Sequence, residues 1–272
     1  MALSNRLTRI LVSVFAIPVI IGVSYYGKIP FLIFVLGIGL IAFHEFATMT
    51  LNKNIYVNFN VGMASVFLII ADSYSHYFNF KFLILLIVLV VLLNELFRNK
   101  ESAILNIGTT LTGIFYIGLF SSSIIDLREF FGAVEAQYNY GGYLIIAMLA
   151  AIWVCDSAAY FLGTAFGKHK LFPRVSPKKS WEGAIAGFVF AIITMVIAKL
   201  LGLDFLSWKD AVVIGMIVGF IGQTGDLVES LIKRDANVKD SSSIIPGHGG
   251  IFDRFDSLLF SAPAVYLYFT LF

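Results

Sequence analysis

The feature that most narrows what this chain can fold into is a series of apolar segments, each about as long as a membrane is thick. A helix crossing roughly 30 Å of hydrocarbon needs about 20 predominantly apolar residues. Nine stretches approach that length, at 8–26, 30–50, 57–72, 80–97, 103–124, 143–163, 181–201, 209–225 and 256–272. They are continuous runs, whereas a membrane β-barrel would show alternation over segments of about ten residues. Backbone amides in lipid must be satisfied within their own segment, so the helix is the form these runs take. The expected fold is all-α, a polytopic integral membrane protein with about nine transmembrane helices. Composition agrees: 13% of the 272 residues are charged, about half the share usual in soluble domains. The single cysteine, Cys155, excludes an internal disulfide framework.

Lys and Arg orient such a protein, because they accumulate on the cytoplasmic side. With the N-terminus inside and nine alternating helices, 14 of the 19 Lys and Arg fall inside and five outside. Tyr25, Tyr26, Tyr74, Tyr77, Tyr138, Tyr140 and Trp208 then lie at outer ends, as an interfacial aromatic belt would. The expected topology is N-in, C-out, in the inner (cytoplasmic) cell membrane. Arg6 and Arg9 stand at the start of the first span, but no small-x-small cleavage site follows it, so it reads as a retained helix. A net charge of +2 is too small to imply a nucleic-acid partner.

The polar residues are unevenly placed. His44-Glu45 and Asn94-Glu95 are the exceptions in an otherwise apolar first half. Charges inside spans are costly, and the simplest reading of each pair is a carboxylate snorkelling toward the cytoplasmic end. In the second half, Asp156 interrupts the run WVCDSAAYFLG. The loop GKHKLFPRVSPKKSWEG, residues 167–183, then has five Lys/Arg and one acid, Glu182. Lys168 and Lys170 suit anionic headgroups. In SPKKSWEG, Pro177 stiffens the chain and Lys178-Lys179 stand at the entrance to a helix, a place suited to phosphate oxygens.

Residues 222–234, GQTGDLVESLIKR, put Asp226, Ser230, Lys233 and Arg234 on one side of a helix if the eighth span continues. Glu229 is one turn from Asp226. Gly222 and Gly225 allow another backbone to come close, and Gly215 and Gly219 form a small-xxx-small packing pattern. Beyond lies KRDANVKDSSSIIPGHGGIFDRFD, residues 233–256, with eight charged residues, His248 and three glycines. Pro246 and the glycines break the helix there, leaving N–H groups that can cradle anions. Asp253 and Asp256, three residues apart, share a helix face and repel unless a cation lies between them. Clustered carboxylates favour a hard cation such as Mg²⁺. Mg²⁺ in turn implies phosphates, for which Lys233, Arg234, Lys239 and Arg254 offer positive charge.

Ser230, Lys233-Arg234, Lys239-Asp240, Pro246, His248-Gly249-Gly250 and Asp253-Arg254-Phe255-Asp256 resemble the signature of the phosphatidate cytidylyltransferase (CDP-diacylglycerol synthase) family, over the 27 residues 230–256. DSAAYFLG at 156–163 and SPKKSWEG at 176–183 resemble two further blocks of it, while the first half is similar only in hydropathy. The resemblance implies transfer of the cytidylyl group of CTP to phosphatidate, giving CDP-diacylglycerol and pyrophosphate. It implies Mg²⁺ with K⁺ as a companion, a homodimer, and membrane lipids as surroundings. Residues 143–272 become a catalytic region and 1–142 a scaffold of helices with lipid or dimer contacts. Asp226, Asp253 and Asp256 match the metal acids. Lys233, Arg234 and Arg254 are expected at the reacting phosphates. Lys178, Lys179, Ser230, Lys239, Gly249 and Gly250 are expected at the substrates. Asp156 and Glu182 stand behind them as supports. His248 is expected either to donate to the leaving pyrophosphate or to stabilise its turn. The alternatives are a CTP-dependent lipid kinase and a cation-coupled transporter.

Overall fold

The structure, a computed structural model, describes residues 5–132, 134–245, 247 and 249–272, with side chains from residue 12 onward. Helices α1 (Asn5–Tyr26), α2 (Lys28–Thr50), α3 (Phe59–Ser75) and α4 (Phe80–Arg98) come first. α5 (Ala103–Gly113) continues through a π-helical turn, Ile114–Leu119, into α6 (Phe120–Glu129). Then come α7 (Tyr138–Phe166), α8 (Trp181–Leu201) and α9 (Trp208–Ile217). A second π turn, Val218–Gly222, joins α9 to α10 (Gln223–Asp235), and α11 (Phe252–Leu271) ends the chain.

Among the described residues six helices are long and apolar enough to cross a membrane: Lys28–Lys53, Phe80–Arg98, Ala103–Glu129, Glu135–Phe166, Trp181–Leu201 and Trp208–Asp235. Val12–Tyr26 and Phe59–Ser75 are apolar but shorter. α11 carries Asp253, Arg254 and Asp256 at its start. The protein is thus an all-helical membrane protein with one small exception. Strands β1 (Lys170–Phe172) and β2 (Ser176–Ser180) form a hairpin in the basic loop, pairing Lys170 with Ser180 and Phe172 with Ser176. Pro173 cannot donate to the ladder, and the Val175 N–H closes the turn on the Phe172 carbonyl at 3.1 Å.

The chain gathers into two compact units. The first holds residues 1–23, 28–126 and 235–255; the second holds 24–27, 127–234 and 256–272. In the first, α2 buries Phe31, Val35, Ile38, Ala42, Phe43 and Phe46 along one face. α4 buries only Leu83, Ile87, Val91 and Glu95, every fourth residue, and leaves the remaining leucines to lipid. Lipid is as apolar as leucine, so the helices are held by close packing and polar contacts rather than by escape from water. Glu95 shows this: it accepts from Asn106 Nδ2 at 2.7 Å and pairs with Arg98 at 2.9 Å. Arg98 also donates to the Tyr56 and Val57 carbonyls. The expected snorkelling fails here and at Glu45, because both carboxylates find donors inside the protein and are 7% and 1% exposed.

The second unit packs on glycine. A Cβ at Gly183 would lie 2.6 Å from the Ala159 carbonyl and 2.9 Å from Gly163 Cα, so α7 and α8 touch backbone to backbone. Gly215 and Gly219 bring the α9 segment equally close to Ile192 and Phe188 of α8, as the small-xxx-small pattern predicts. Arg128 is fully buried and donates to the carbonyls of Ser24, Tyr25 and Tyr138. It thereby satisfies orphan carbonyls at the end of α1.

Candidate active site

The acids of the second unit meet because two helices can approach without side chains between them. A Cβ at Gly225 of α10 would come within 2.8 Å of the Asp256 carbonyl and 2.7 Å of Phe260 Cβ on α11. Gly222 faces Ser257 and Ser261 in the same way. The π turn just before α10 leaves carbonyls to be satisfied. Gln223 answers one of them, donating to Gly219 O at 2.5 Å and to Ala184 O at 3.0 Å. One turn on, Asp226, Glu229 and Asp256 present carboxylate oxygens within 4.8 Å of one another, with Glu229 and Asp256 buried. Such a group of hard oxygen donors fits a divalent cation of the Mg²⁺ kind.

Basic side chains already border these acids. Lys179 hydrogen-bonds and ion-pairs with Asp226. Lys233 pairs with Glu229 at 2.6 Å, one turn along α10. Ser230 donates to Asp226 Oδ1 at 3.3 Å, and Arg234 donates to the Val175 carbonyl at 3.3 Å. Beside Asp226 a cavity of about 270 Å³ opens between α7, the hairpin, α8 and α10. Asp156, Tyr160, Thr164, Lys178, Lys179, Ser180, Gln223 and Asp226 line it. Ser180 caps α8 by accepting from the Gly183 N–H at 3.2 Å. The cavity therefore lies beside a helix N-terminus flanked by two lysines, as SPKKSWEG predicts. Glu182 accepts from the His169 ring at 2.7 Å and so ties the hairpin to the start of α8.

The signature loop belongs to the first unit and is held by carboxylates of its own. Asp253 Oδ2 accepts from the Ser241 N–H and hydroxyl, each at 2.9 Å, and from the Gly250 N–H at 2.8 Å. Gly249 takes φ +84°, where glycine is unstrained, and its carbonyl accepts from the Ile245 N–H at 2.9 Å. Lys239 and Arg254 are exposed. His248 and Pro246 lie outside the described residues.

A family model described as the cytidylyltransferase family matches residues 7–272. The chain belongs to that family. It is 34% identical to the phosphatidate cytidylyltransferase of Bacillus subtilis (strain 168), over 97% of each chain. It is 30% identical to the protein of that name from Brucella suis biovar 1 (strain 1330), over 99% of this chain and 95% of the relative. A relative of the same name from Haemophilus influenzae is 43% identical over 48% of this chain and 47% of its own.

For this cytidylyltransferase, the sequence pattern pointed to three acids, and the structure gathers two of them, Asp226 and Asp256, with Glu229. Asp253 is instead bonded to Ser241 and Gly250. Glu229 was legible as one turn from Asp226, but not as facing α11. Glu45 had no such signal, since its partners lie 196 to 207 positions later in the chain.

Proposed function

We propose that this family member transfers the cytidylyl group of CTP to phosphatidate, giving CDP-diacylglycerol and pyrophosphate. The observation that carries the reading is the carboxylate group Asp226, Glu229 and Asp256 beside a cavity lined by Lys178 and Lys179. Substrate, metal and orientation enter as parts of the same proposal.

A phosphate monoester has a second pKa of about 6 and is already ionised near neutrality. The lipid phosphate oxygen is therefore the nucleophile, and no strong general base is required. It attacks the α-phosphorus of CTP, the bond to the β-phosphate bridge breaks, and pyrophosphate leaves. The chain's task is to bring two polyanions together and balance their charge. Lys178 and Lys179 hold phosphate oxygens at the N-terminus of α8. Lys233, Arg234, Lys239 and Arg254 supply further positive charge, with Ser230, Gly249 and Gly250 at the substrates and Asp156 and Glu182 behind them. Asp226, Asp256 and Glu229 would hold Mg²⁺, with K⁺ as a companion and Asp253 as the further acid that the signature assigns. When bound, the metal supplies charge neutralisation at the transferring phosphoryl group. The site faces the cytoplasm in a nine-span, N-in, C-out homodimer of the inner membrane, where CTP is at hand and the acyl chains stay in lipid.

The test is product analysis with purified protein, phosphatidate, Mg²⁺ and CTP labelled at either the α- or the γ-phosphorus. Label from the α-position is expected in lipid, with γ-label released as pyrophosphate. γ-Label in lipid would establish a lipid kinase and overturn the proposal.

A further inference from the structure

Glu45 lies in an apolar helix and is 1% exposed, yet its carboxylate organises a distant loop of the first unit. Oε1 accepts from the Ser242 hydroxyl at 2.5 Å and from the Ile251 N–H at 3.0 Å. Oε2 accepts from the Ser241 hydroxyl at 2.9 Å and from the Phe252 N–H at 2.8 Å. The Ile251 and Phe252 amides stand at the start of α11, where N–H groups lack intrahelical partners. A negative charge there is favoured by the helix dipole. Glu45 is thus the cap of α11, supplied by a different helix. Four donors also offset the cost of burying a carboxylate.

Two further observations tie Glu45 to the signature residues. The Ser241 hydroxyl lies 2.9 Å from both Glu45 Oε2 and Asp253 Oδ2. It carries one hydrogen and serves one carboxylate at a time, so the two acids share a single donor. A Cβ at Gly250 would stand 2.6 Å from Glu45 Cδ. Only glycine lets the loop close on this carboxylate, which gives Gly250 a physical reason independent of any substrate.

We propose that Glu45 is a positioning residue for cytidylyl transfer, fixing Ser241, Ser242 and the start of α11 and, through Ser241, the carboxylate of Asp253. The proposal rests on the function proposed above. Glu45→Gln keeps the volume but replaces one acceptor oxygen by a donor. Hydrogen–deuterium exchange of the full chain without metal reads the loop directly. Amides in 241–245 and 249–256 are expected to exchange about ten-fold faster or more, the loss of a charged hydrogen bond, while α7 and α8 are unchanged. With both substrates saturating, kcat should fall on the order of 100-fold by mispositioning, with KM for CTP unchanged. Glu45→Asp keeps the charge with a shorter reach and should recover part of both losses. Unaltered exchange in 241–245 and 249–256, or a uniform rise over all helices with normal kcat per folded molecule, would overturn the proposal. A wild-type protein that makes no CDP-diacylglycerol would sink the functional reading alone, since the exchange comparison still decides whether Glu45 holds the loop.

Discussion

At the scale of single residues, the chemistry concentrates in carboxylates that cannot stand together uncompensated. Close acids repel, and burial disfavours their charged forms; here Lys179 and Lys233 supply part of the compensation. Asp256→Asn keeps the size and removes a charge from the group. Activity is expected to fall about 100-fold or more, as for loss of a strong electrostatic contributor. The Mg²⁺ concentration for half-maximal rate should rise in any turnover that survives, as initial rates across a Mg²⁺ titration would show. Glu229→Gln, which removes a second charge from the same group, should also cost on the order of 100-fold. An intact rate in that variant would remove Glu229 from the group. Lys179→Ala should cost more than Lys178→Ala, because Lys179 pairs with Asp226 while Lys178 is exposed at the cavity. Steady-state rates on anionic and neutral vesicles separate this from a general loss of lipid binding.

Elements bring those residues together through what they lack. α10 meets α11 at Gly225, and the α9 segment meets α8 at Gly219, where a Cβ would lie 2.9 Å from Phe188 Cα. Both positions are intolerant of a methyl group, at about 1–3 kcal/mol for overpacking. The consequences should differ. Gly225→Ala moves the backbone that carries Asp256 and Asp226, so activity should fall even where the protein is fully folded. Gly219→Ala strains packing away from the acids, so the thermal midpoint in detergent should drop first. Comparing activity per folded molecule in the two variants checks this. Equal activity losses at equal stability would mean that the α10–α11 contact has no special bearing on the site.

For the whole molecule, the two ends of α8 report which side of the membrane holds the cavity. α8 has 21 residues, about 30 Å at 1.5 Å per residue, enough to separate its two ends across a bilayer. The hairpin precedes it and the turn to α9 follows it. Arg174→Cys and Asp204→Cys, both at exposed positions, sample those two ends, and the native Cys155 is buried and silent. An impermeant thiol reagent applied to intact cells should label Asp204→Cys alone. Arg174→Cys should react only after the inner face is exposed. The reverse pattern would invert the topology.

The length and continuity of the apolar runs set the solvent and hence the class of fold. Continuous apolar runs in lipid can satisfy their amides only as helices, and that physics is local. The sequence also made legible Asp226 and Asp256, the lysines beside the α8 N-terminus and the glycines of α9 and α10, because each belongs to a short pattern with a local reason. The hairpin at 170–180 was not legible, since two strands of three and five residues give little periodicity. Nor were the burial of Glu45 and Glu95 or the turning of Glu229 toward Asp256. A carboxylate in an apolar helix is equally compatible with snorkelling, with pairing or with capping another helix. Packing selects among these, because the donors that make burial tolerable come from segments far along the chain.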